Sequence, residues 1–187
     1  MIDPTTNQWH QWRDAARRDA IDRAIRGLYA DLDAAVAERG PLCNASGRCC
    51  DFDAYGHRLY VTGLEIAWFL LGVGGSGLGS RGEPDACADH ADNTRRVQPS
   101  TTRPKPTPSP TPKCPFQIDG LCSTHAIRPL GCRVYFCERG TEAWQQDTTE
   151  RFLDRLKRLH AEHALSYGYM EWRAGLAEAK RALASSP

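Results

Sequence analysis

Seven of the eight cysteines of this 187-residue chain fall into two cassettes. CNASGRCC supplies Cys43, Cys49 and Cys50, and CPFQIDGLCSTHAIRPLGCRVYFC supplies Cys114, Cys122, Cys132 and Cys137. Thiols gathered so closely repel one another if ionised and are weak nucleophiles if protonated; a soft metal resolves both difficulties by binding thiolates outright. The expected chemistry is therefore chelation, with all seven cysteines as candidate ligands. The candidate centres are an iron–sulfur cluster, 4Fe–4S among the options, or Zn2+. Seven sulfurs exceed the four that one structural zinc needs, which favours a cluster or two sites. The adjacent side chains of Cys49 and Cys50 are expected to point apart. One would then ligate while the other packs as a small apolar residue or faces a different site; a vicinal disulfide is the strained third option.

Within the second cassette Asp119-Gly120 is the preferred pair for a two-residue hairpin turn, which would bring Cys114 and Cys122 together. Arg128-Pro129 bends the return, because the residue before proline is pushed out of the helical region. Arg128 and Arg133 divide evenly between offsetting thiolate charge and simple surface solvation. Cys87 and His90 read as a free thiol and a solvated imidazole. His160 and His163, three apart near a helix end, read as a partly exposed pair with no metal role. The chain has no CxxC pair, Rossmann glycine fingerprint or phosphate-binding loop.

The elements that must hold these cassettes are mostly helical. Apolar residues at Trp9, Trp12, Ala16, Ile21, Ile25, Leu28, Leu32 and Val36 predict one amphipathic helix over residues 8–39, with one step of five in its spacing. Thr6 or Asn7 would cap it and Gly40-Pro41 would stop it, and the two tryptophans read as core anchors. Residues 57–61 read as a short strand. Thr62-Gly63-Leu64-Glu65 is a capping box opening a helix over 63–71. Residues 72–113, rich in glycine and then proline, read as a flexible insertion. A third helix is expected from Thr141 or Glu142, and a last one over 170–183. The expectation is a mainly α fold: one domain over 1–187, in which amphipathic helices flank a small cysteine-rich metal-binding core with a short β-hairpin.

With 41% hydrophobic and 25% charged residues the composition is globular, and a net charge of +1 argues against a nucleic-acid or anionic-membrane surface. The N-terminal stretch lacks a basic region followed by an apolar run, and the longest apolar run, Ile66–Val73, is too short to span a bilayer. The expectation is a cytoplasmic protein without nucleic-acid or membrane partners, whose thiols stay reduced. No protein partner is legible.

These cassettes resemble those of the YkgJ-type cysteine-cluster proteins, a zinc- or iron-chelating group with a CxxCxxCC motif. CNASGRCC matches it except that Ser46 stands at the second cysteine, and the second cassette is similar to the family's CP, turn, C, RP and CR pattern. The resemblance implies metal chelation rather than a particular reaction. A related cluster in flagellin lysine N-methylases points towards iron. Three readings follow: a metal-binding protein, a metal-dependent or iron–sulfur enzyme modifying a protein or small molecule, and a metal-stabilised interaction module.

Overall fold

A computed structural model describes residues 4–41, 48–52, 58–74, 114–118 and 121–184. The protein is mainly helical, with two small antiparallel strand pairs. Helix α1 spans Pro4–Ala16 and α2 spans Asp19–Arg39, so the single helix expected over 8–39 is broken at Arg17-Arg18. The five-residue step from Ala16 to Ile21 is the cause: an unbroken helix would carry the two apolar stripes out of phase. Arg18 adopts extended backbone (ψ 128°), and its carbonyl restarts the ladder by accepting from Ile21 and Asp22. The break lets α1 pack on helices later in the chain while α2 follows a separate course. Pro4, rather than Thr6 or Asn7, opens α1, consistent with proline's preset φ at a first helical position. Gly40 ends α2 as expected, in the left-handed region (φ 59°), with its N–H donating to the Val36 carbonyl.

Strand β1 (Tyr60–Thr62) leads directly into α3 (Gly63–Gly74). The capping box forms: the Glu65 N–H donates to Thr62 Oγ1 at 3.2 Å, and Thr62 N–H donates to Glu65 Oε2 at 2.9 Å. Because α3 continues through Gly74, the first three residues of the expected insertion belong to a helix. Residues 75–113, with Cys87 and His90, lie outside the described residues, as does His57.

After the second cassette come α4 (Leu130–Val134), α5 (Glu142–Glu162), strand β4 (Tyr169–Glu171) and α6 (Trp172–Ala184). The helix expected from residue 170 begins later because Tyr169–Glu171 pairs antiparallel with β1, placing Val61 opposite Met170. The Trp172 N–H donates to Leu59 O, and the Glu171 carboxylate caps α6 by accepting from the Ala174 N–H. Nothing local marks this three-residue strand; its partner lies more than a hundred residues earlier.

The core joins α1, α3 and α6 on one side to α2, α4 and α5 on the other. Trp9 and Trp12 are fully buried, meet edge to face at 4.8 Å, and direct their indole N–H groups to Glu178 and to the Ser166 carbonyl. They are anchors, as expected, each contributing roughly 1.5–3 kcal/mol or more through burial. Gly63 and Gly168 sit flush against the Trp12 ring, where an added Cβ would collide with it.

Candidate metal centre

The first cassette enters the described structure at a short 3₁₀ turn, Arg48–Cys50, and Cys43 lies outside it. The second begins where the Cys114 N–H donates to the Cys50 carbonyl at 3.1 Å, a backbone bond that ties the cassettes together. Strands β2 (Gln117–Ile118) and β3 (Leu121–Cys122) then pair with Gln117 opposite Cys122 and Ile118 opposite Leu121. This register suits a two-residue hairpin; the Asp119-Gly120 turn itself lies outside the described residues. A 3₁₀ turn at His125–Ile127 and the extended Arg128-Pro129 pair return the chain to α4, which carries Cys132.

Five sulfurs come together: Cys49, Cys50, Cys114, Cys122 and Cys132. Cys50 is the hub: the thiols of Cys49, Cys114 and Cys122 are all near enough to act on its protonation. The adjacent Cys49 and Cys50 do not diverge; their Sγ atoms are 3.9 Å apart, because the tight 3₁₀ turn presents both on one side. That separation excludes a disulfide, and it matches the edge of about 3.8 Å that sulfurs about 2.3 Å from a tetrahedral zinc would define. Cys50 and Cys114 are buried, Cys49, Cys122 and Cys132 half-buried, and Cys137 exposed. Cys137 stands at the edge near Tyr135, whose hydroxyl is raised first by burial. Among the described residues, no group of three or more His, Cys, Asp and Glu is disposed as a ready-formed metal site. What the fold supplies is proximity between the thiols of the two cassettes.

The protonation pattern shows why such a group favours a cation. Interaction with Cys50 lowers Cys122 to about 5, Cys49 to about 7 and Cys114 to about 7, while the same three neighbours, then burial, push the Cys50 thiol far upward. Burial, then the charge of Cys114, pushes Cys132 well up. Thiols that ionise this readily in one another's company make a donor set that suits a soft cation.

Two buried donors face this set. Arg128 Nε is buried without a hydrogen-bond partner among the described residues, and its charge favours the thiolates of Cys49 and Cys132. Trp172 Nε1 is buried without a hydrogen-bond partner among the described residues, and it lies close enough to Cys114 to favour its thiolate. Phe69 packs edge-on against Trp172 at 4.9 Å and against Phe116 at 4.7 Å, fixing the indole beside the cassette. Two orphaned N–H donors beside acidified thiols fit a negatively charged metal–thiolate group, whose sulfurs accept such bonds.

Arg133 neither is surface-solvated nor offsets thiolate charge as its main task. It is buried, pairs with Asp33 at 2.6 Å, donates to the carbonyls of Arg128 and Ala126, and lies 4.3 Å from the centre of the Tyr29 ring. It is the strut that fixes the return carrying Arg128. Glu65 is the second support that sequence reasoning underrated. Beyond the capping box, its carboxylate accepts from Tyr29 Oη at 2.8 Å and from the Leu130 N–H, the first amide of α4, at 2.9 Å. Only the Thr62–Glu65 spacing was visible in sequence; the donors from α2 and α4 were not.

Of the histidines expected as a partly exposed pair, His163 is half-buried at the end of α5, but His160 is enclosed. His160 is 2% exposed, with Nδ1 bound to Ser166 O at 2.9 Å, Nε2 buried without a partner, and the Tyr167 ring edge-on at 5.4 Å. It faces the turn after α5, where Trp12 also reaches Ser166, and burial lowers its pKa.

Comparison with protein-family models, characterised proteins and solved structures finds no match to this chain. Among the described residues no helix is long and apolar enough to cross a membrane.

Proposed function

We propose that this chain is a cytoplasmic metal-binding protein of the YkgJ type, whose cysteines chelate an iron–sulfur cluster or zinc. The observation that carries the reading is that the two cassettes, more than sixty residues apart in sequence, meet at Cys50: its carbonyl accepts from the Cys114 N–H, its Sγ is 3.9 Å from that of Cys49, and the Cys114 and Cys122 thiols lie near it. The orphaned donors of Arg128 and Trp172 beside them support it, since both complement a negatively charged metal–thiolate group. Cys49, Cys50, Cys114 and Cys122 form the inner donor set, with Cys132 beside them. Cys43 and Cys137 complete the candidate ligands, and Ser46 supplies no thiolate in the remaining motif position. When bound, the metal would hold the thiolates ionised and tie the two cassettes to each other.

Anaerobic purification followed by iron, zinc and sulfide analysis and visible spectroscopy tests this. Near-stoichiometric zinc in a colourless protein selects zinc, and iron with acid-labile sulfide and broad visible absorption selects a cluster. Cys49→Ser, Cys50→Ser, Cys114→Ser and Cys132→Ser should lose metal, whereas Cys137→Ser, at the exposed edge, should retain most of it. Wild-type protein carrying neither iron nor zinc, and taking up neither after anaerobic reconstitution, would overturn the proposal.

A further inference from the structure

A cleft of about 200 Å3 opens between the start of β1, α4, α5 and β4. Its inner wall includes Cys49 and Cys132, so it reaches the edge of the sulfur group. The tyrosines at 60, 135 and 169 line it, and Arg58 stands exposed at its rim. No Asp or Glu is among its described lining residues. Gln145 is a fixed wall rather than a ligand group. Its amide nitrogen donates to Phe136 O and Thr141 Oγ1, and its carbonyl accepts from the Phe136 N–H.

Besides the two thiols of the inner wall, the side chains left to meet an incoming molecule are chiefly the Arg58 guanidinium and the tyrosine rings with their hydroxyls. Tyr169 has its pKa raised to about 12, first by burial, and so keeps its proton as a donor. Tyr60 and Tyr169 lie side by side, with centroids 5.7 Å apart and planes inclined by 31°. A flat apolar body suits these rings, and an anionic end suits Arg58. The volume is below the roughly 300–1,000 Å3 of sites for drug-sized molecules, which limits the occupant to a small one.

We propose that this cleft binds a small organic carboxylate with a planar ring, the carboxylate at Arg58 and the ring among the tyrosines, within reach of Cys49 and Cys132. The consequence, a substrate-class ligand held beside the metal centre, rests on the metal-binding reading; the binding itself does not. It would give the enzyme alternative its substrate class.

The test is isothermal titration of the full-length protein with benzoate, benzyl alcohol and benzylamine, with metal content measured on the same samples. Benzoate should bind saturably with a Kd of about 1 mM or tighter, as expected for a fragment-sized ligand, while benzylamine should not bind. Arg58→Ala should weaken benzoate about tenfold, and Thr149→Trp, which fills the cleft, should abolish binding; circular dichroism and metal content should be unchanged in both. Equal binding of benzylamine, or undiminished benzoate binding by Arg58→Ala, would overturn the inference. A metal-loaded protein with no saturable benzoate binding would overturn this inference alone, and benzoate binding by a protein that takes up no metal would overturn the metal reading alone.

Discussion

Replacing Glu65 tests the connection between the fold and the candidate metal centre. The carboxylate is 1% exposed and accepts four hydrogen bonds, from the Thr62 N–H, Thr62 Oγ1, Tyr29 Oη and the Leu130 N–H. In Glu65→Ala the two hydroxyls can rotate towards other acceptors, but the two backbone N–H groups cannot, and each buried donor left unsatisfied costs about 1–3 kcal/mol. The loss of two charge-assisted bonds to hydroxyls adds to this, so a total of about 4 kcal/mol is expected, against a typical stability of about 5–15 kcal/mol. With a urea m-value of about 2 kcal/mol/M, the unfolding midpoint should fall by about 2 M. Glu65→Gln keeps one acceptor oxygen but turns an NH2 group towards a donor, and should lose about half as much. Because the Leu130 N–H starts the helix that carries Cys132, both variants should also release metal faster. A midpoint shift below about 0.5 M for Glu65→Ala would refute the idea that this carboxylate ties α2, α3 and α4 together.

Trp172→Phe removes the indole N–H at Cys114 while keeping the ring packing; metal retention should fall about tenfold with little change in the circular dichroism, measured by competition with a chelator. His160 is held neutral by burial, so its folded pKa lies below the unfolded value of about 6.5. The unfolded chain then binds the extra proton first, and stability that is full above pH 6.5 should be lost on acidification by up to about 1.4 kcal/mol per pH unit. Urea titrations from pH 7 to 5 should show that slope in the wild type and a shallower one in His160→Gln; equal slopes would refute the assignment. Gly63→Ala drives a methyl group into the fully buried Trp12 ring and should cost about 1–3 kcal/mol in thermal or urea unfolding, whereas Gly27→Ala, with open space around it, should cost nothing and gain helix propensity.

The local devices of this protein were legible because each is set by neighbours within a few residues. Gly40-Pro41 ends α2 through backbone conformation alone, Thr62 and Glu65 close their box within one turn, and Thr141 starts α5 where the apolar pattern resumes. The density of thiols in two cassettes likewise made metal chelation the leading expectation without any coordinates. Periodicity failed at Arg17-Arg18, because a five-residue step is ambiguous between a tolerated irregularity and a break until the packing partners of each half are known. It failed again at Tyr169–Glu171, whose strand exists only because β1 is there to pair with it.

Contacts between distant segments were beyond the sequence for the same reason. That Cys49 and Cys50 face the same sulfur group, that Trp172 comes to lie beside Cys114, and that Arg133 reaches across to Asp33 each depend on where helices far apart in the chain come to rest. The sequence by itself determined which residues are candidates for that chemistry, since thiol density and spacing are properties of the chain. Tertiary structure alone decided which of those sulfurs meet and which stands at the surface, because their mutual distances depend on the packing of α3, α4 and α6 around them.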